Sequence, residues 1–164
     1  MILGMSVALF TQLHVLISLI GIAAGVIVAF GLVTNCRFSQ WTALFLVTTI
    51  LTSVTGFLFH SKAIGPPHVV GAISLVVLAV ATYALYARHL AGAWRGAYVL
   101  TALLALYLNV FVGVVQAFQK LPALHQLAPH GSEPPFAIAQ LVVLAAFVLL
   151  GYRSLRRFHP PAAA

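Results

Sequence analysis

Carboxylates are almost missing from this chain. Glu133 is the only acidic side chain in 164 residues, and charged residues of either sign make up 5 %. A soluble domain of this length needs several times more charge to cover its surface, so a water-exposed globule is excluded. No carboxylate falls inside any apolar run, which argues against proton-coupled exchange through a membrane-embedded Asp or Glu. Cys36 is the only cysteine, so no intramolecular disulfide can form. No internal repeat and no interrupted apolar segment marks a secondary transporter. No grouping of serine, cysteine and aspartate points to hydrolysis, which leans the reading away from an enzyme, although His125 and Glu133 could assist chemistry on the outer surface. The N-terminus lacks the basic segment of a cleaved signal, so the first apolar run is expected to be retained.

Apolar residues account for 63 % of the chain. They recur in runs of about 20 residues, the length that crosses a hydrocarbon core as a helix. The spacing predicts an all-α polytopic membrane protein, one integral domain over 1–164. Five spans are expected near 11–33, 41–59, 67–87, 94–118 and 136–152, with 119–135 as the longest loop. Within that loop, Leu121 to Leu127 reads as a short amphipathic turn on the membrane surface. The formal charge of +7 comes from basic residues at the ends of the runs. They orient the chain and do not suggest nucleic acid as a partner. With five spans, Arg37, Arg88, Arg95, Arg153, Arg156 and Arg157 share one side, while Lys62, Lys120 and Glu133 share the other. The positive-inside rule then places the N-terminus outside and the C-terminus inside. Trp41, Trp94 and Tyr152 fall at the inner boundary, as an aromatic belt requires.

Histidine is the chemistry-bearing residue that remains. His14 continues the stripe Ser18, Gly21, Gly25 and Ala29 on the first span, a small-residue face that admits a neighbouring helix. Thr49, Ser53, Gly56 and His60 share a face of the second span, with Thr52 beside them. His68, Ala72, Leu75, Ala79, Thr82 and Tyr86 line up on the third. Asn109 and Gln116 lie on one face of the fourth, and buried amides need partners, so both are expected to point inward. The short connector between His60 and His68 brings His14, His60 and His68 to one membrane level near the outer surface.

Several uses of that level stay open. Two of the histidines, His14 with His60 or His68, could ligate a b-type haem, its propionates toward Lys62 and Lys120. The same pocket could take a quinone-like or other small hydrophobic ligand oriented by Asn109 and Gln116. All three histidines could hold zinc or copper, with Glu133 or water completing the shell. Alternatively, the polar layer only hydrogen-bonds helices together, in an accessory subunit that needs no cofactor. Such a subunit implies a membrane protein partner or a homo-oligomer. Glu133, ahead of Pro134 and Pro135, reads as a helix cap.

The segments Leu108-Asn109-Val110-Phe111-Val112-Gly113-Val114-Val115-Gln116, Leu121-Pro122-Ala123-Leu124-His125 and Gly131-Ser132-Glu133-Pro134-Pro135-Phe136 resemble those of a group of small bacterial membrane proteins of uncharacterised activity. The resemblance runs from the Gln12-Leu13-His14 region to the fifth span. It implies a bacterial inner-membrane location and no particular chemistry.

Overall fold

The computed structural model describes residues 2, 4–59 and 65–160. His60 and Lys62, both invoked above, lie outside the described residues. The chain forms α1 (Val7–Thr34), α2 (Ser39–Gly56), α3 (Pro66–Thr82), α4 (Ala93–Lys120), α5 (Pro122–Leu127) and α6 (Pro134–Arg157). A π-helical turn, Tyr83–Ala87, prolongs α3. Among the described residues, the only extended pairing is an isolated bridge between Ile2 and Met5.

Local chemistry sets the ends of the helices. The Ser6 hydroxyl accepts the Leu9 amide hydrogen at 3.2 Å, so α1 starts at Val7, ahead of the expected position. Asn35 closes α1 in the left-handed region at φ 58°, a conformation its short polar side chain tolerates. Its Oδ1 also accepts the His159 amide hydrogen at 2.8 Å, which ties the end of the chain to the α1–α2 connection. Pro66 and Pro67 open α3, where missing amide hydrogens leave nothing unsatisfied. α6 continues beyond the expected span end at 152, through Arg153, Arg156 and Arg157. The helix includes them, because positive charge is favoured in a last turn.

α4 is the central element and touches each of α1, α2, α3 and α6. Leu78, Val99, Ala105 and Leu106 are essentially inaccessible around it. α1 reaches this core through its glycine stripe. A Cβ on Gly25 would run into Leu106 and lie 2.9 Å from Phe45 Cδ2, so only glycine allows this approach. The α3 stripe needs correction. Its buried residues are Ser74, Val77, Leu78 and Ala81, whereas Ala72, Ala79 and Tyr86 are exposed. The packing face is set by Gly71, where a Cβ would stand 3.1 Å from the Phe57 ring.

α1, α3 with its π turn, α4 and α6 are long and apolar enough to cross a membrane, the pattern of a multi-pass membrane protein. α2 is not among them. Five threonines, two serines and a glutamine dilute its 18 residues. The hydroxyls account for this: Thr48, Thr52, Ser53 and Thr55 return hydrogen bonds to carbonyls of their own helix at 2.6–3.0 Å. Polar composition is therefore compatible with burial against α1 and α3.

Candidate functional site

Two helices supply imidazoles to one cavity. It measures about 120 Å³ and is walled by α1, α2, the start of α3 and the middle of α4. His14, His68 and Asn109 all line it, as do five hydroxyl side chains, Ser18, Thr49, Thr52, Ser53 and Ser74. Leu108, Val112, Val70 and Phe57 make its apolar wall. His14 and His68 thus stand at one level. His60 lies outside the described residues. Gln116 is exposed and does not line the cavity, contrary to the inward placement expected of it. It sits one turn before Lys120, the last residue of α4, near enough to the helix end for its amide to reach polar surroundings.

Several of these polar side chains have a definite occupation. His14 Nδ1 is 2.8 Å from Thr55 Oγ1, and its ring meets Phe59 edge-on at 5.2 Å. His68 accepts the Gly65 amide hydrogen on Nδ1 at 3.3 Å, which caps the first turn of α3, and packs on Phe57 at 5.9 Å. The Ser18 hydroxyl donates to Asn109 Oδ1 at 3.0 Å, and the Ser53 and Ser74 hydroxyls share a hydrogen bond at 3.1 Å. These contacts join α1 to α2, α1 to α4, and α2 to α3.

Two buried polar atoms are left over. Asn109 is 7 % exposed, and its Nδ2 has no hydrogen-bond partner. Thr49 is 1 % exposed, and its Oγ1 has none either. Gly21 brings the two together. A Cβ built there would lie 3.2 Å from Thr49 Oγ1 and 3.3 Å from Asn109 Nδ2. Buried donors are nearly always satisfied, but this one stands against Gly21, which does not line the cavity, and is closed off from it.

The size of the cavity separates the open readings. A cavity of roughly 150 Å³ holds one benzene ring. The space here therefore suits a single ring and falls well short of a haem macrocycle. Among the described residues, no three of His, Cys, Asp and Glu come together as metal ligands. A second cavity of about 130 Å³ lies at the arginine-rich end, lined by Arg37, Thr42, Tyr86, Tyr98 and Phe158 among others. Arg95 there donates to the Leu155 and Phe158 carbonyls at 3.1 and 2.6 Å.

Glu133 is the N-cap residue of α6, as its position suggested, but its side chain makes no capping bond. It precedes α6, but its carboxylate turns back to accept the amide hydrogens of His130 at 2.9 Å and Ser132 at 3.0 Å. The His130 amide foremost, then the amides of Glu133 and Ser132, hold the carboxyl below the ordinary range. Thr55 and Ser74 were not singled out from the sequence. Neither lies on the stripe proposed for its helix, so helical spacing carried no signal for them. Comparisons with protein-family models, curated proteins and solved structures found no match.

Proposed function

We propose that this chain is a five-span membrane protein, N-terminus outside and C-terminus inside, whose cavity binds the single-ring polar head of a membrane-soluble, quinone-like molecule. α2 is the fifth span in this reading. Its hydroxyls are internally bonded, and it packs between α1 and α3. The distribution of arginines supports the orientation, and the resemblance noted above favours the bacterial inner membrane. One observation carries the ligand reading: His14, His68 and five hydroxyl side chains meet at a one-ring cavity with apolar walls. A ring oxygen would bond to the polar side chains of that wall, and the apolar tail would leave toward lipid. A haem is not part of this proposal, because the cavity is too small for one.

A second reading rests on a different observation. His14–Thr55, Ser18–Asn109 and Ser53–Ser74 are bonds between helices, and such bonds are what an accessory subunit would use to lock its bundle. Solvent extraction of protein purified from native membranes, followed by mass spectrometry, separates the two. The ligand reading expects a ring-bearing isoprenoid or alkyl lipid at near one per chain. Protein that carries none, and that binds neither a decyl benzoquinone nor its hydroquinone, would leave only the structural reading.

A further inference from the structure

The hydrogen bond between His14 and Thr55 decides which form of ligand the cavity accepts. This inference rests on the ligand reading above and adds to it the chemistry of the recognised group. A threonine hydroxyl has one hydrogen to give. In Thr55 that hydrogen is committed to its own helix, because Oγ1 lies 2.6 Å from the Leu51 carbonyl oxygen and 3.2 Å from that of Thr52. Toward His14, 2.8 Å away, Thr55 Oγ1 can therefore only accept. Nδ1 of His14 must carry the proton. A neutral imidazole has one N–H, so Nε2 is left with a bare lone pair, and it makes no hydrogen bond among the described residues.

His14, which lines the cavity, thus offers an imidazole nitrogen that can only accept. We propose that the site is selective for a hydroxyl-bearing ring, a hydroquinone or phenol, over the corresponding quinone, with the ring O–H donating to His14 Nε2. A quinone has only acceptor oxygens. Bound in the same place, it would set a carbonyl lone pair against the Nε2 lone pair, or force the imidazole into its other tautomer and break the bond to Thr55. Thr55 is accordingly a positioning residue that acts through His14. Selectivity of this kind comes from leaving the Nε2 lone pair without a donor when the ring has no hydroxyl.

The test measures binding of a decyl benzoquinone and of its hydroquinone, kept reduced by dithionite, to the full chain in nanodiscs. The hydroquinone is expected to bind at least about tenfold more tightly, the difference one unmade buried hydrogen bond produces. Thr55→Val keeps the shape and the imidazole but frees the tautomer, so the preference should collapse toward equal affinity while binding persists. His14→Phe should weaken the hydroquinone selectively. Equal affinities in the wild type, or an undiminished preference in Thr55→Val, would overturn the tautomer argument while leaving the ligand site standing. Absence of binding by both forms would instead remove the ligand reading on which it rests.

Discussion

Replacing Asn109 with leucine tells a ligand site from a structural bolt, because the two readings assign opposite signs to the change in stability. In the empty protein Asn109 makes one side-chain bond, to Ser18, and leaves Nδ2 buried without a partner. Losing the bond costs ~0.6 kcal/mol, the average for polar contacts between membrane helices. Removing the orphaned donor returns about 1–3 kcal/mol of desolvation penalty. Ser18 can turn its hydroxyl to a carbonyl of its own helix, and the adjoining cavity accommodates the leucine methyl groups. The net expectation for Asn109→Leu is no loss, or a gain within about 2 kcal/mol. Hydroquinone affinity should meanwhile fall about tenfold, since the leucine methyl groups take space from the cavity that Asn109 lines. SDS-driven unfolding followed by Trp41 and Trp94 fluorescence reads the first quantity, and ligand titration reads the second. A destabilisation above about 2 kcal/mol with unchanged ligand affinity would refute the reasoning and make the amide structural.

Gly25→Ala should destabilise the bundle by about 1–3 kcal/mol, because the added methyl collides with Leu106 and Phe45. Gly56→Ala, whose nearest neighbour is His14 Cε1 at 3.8 Å, should be almost neutral in the same unfolding assay, and equal effects would contradict the packing. Glu133 has its carboxyl held low in the folded loop, so it supports that loop fully above the ordinary glutamate range near pH 4.5. The support is lost as pH falls through the lowered value. Hydrogen exchange at the His130 and Ser132 amides should accelerate over that acid window, and Glu133→Gln should show faster exchange already at neutral pH.

Parts of this structure were legible because a single physical constraint pointed one way. The His14, Ser18, Gly21, Gly25, Ala29 stripe combined a polar group that avoids lipid with glycines that admit a neighbour, and its residues do meet α2 and α4. The α3 stripe was misread because alanine suits a lipid-facing surface as well as a helix contact, so Ala72 and Ala79 carried no directional information. The decisive residues were Gly71 and Ser74, one turn-position away. The inward placement of Gln116 assumed a fully buried amide, but proximity to the helix end relaxes that demand. Spacing alone also gave no sign of the π turn at Tyr83–Ala87, or of the Thr55 hydroxyl that fixes the His14 tautomer.

The central claim is that the ring of a bound ligand occupies the cavity that His14 and Asn109 line, and the sequence offers a clean way to observe it. The chain contains two asparagines, Asn35 and Asn109, so ¹⁵N-asparagine labelling yields two side-chain amide signals. Asn35 lies at the opposite end of α1, bonded to the His159 amide, and serves as an internal control. In nanodiscs, addition of the decyl hydroquinone should shift the Asn109 side-chain protons, as expected beside an aromatic ring, and leave those of Asn35 in place. An Asn109 signal that stays fixed at saturating ligand, or moves together with that of Asn35, would contradict the proposed site.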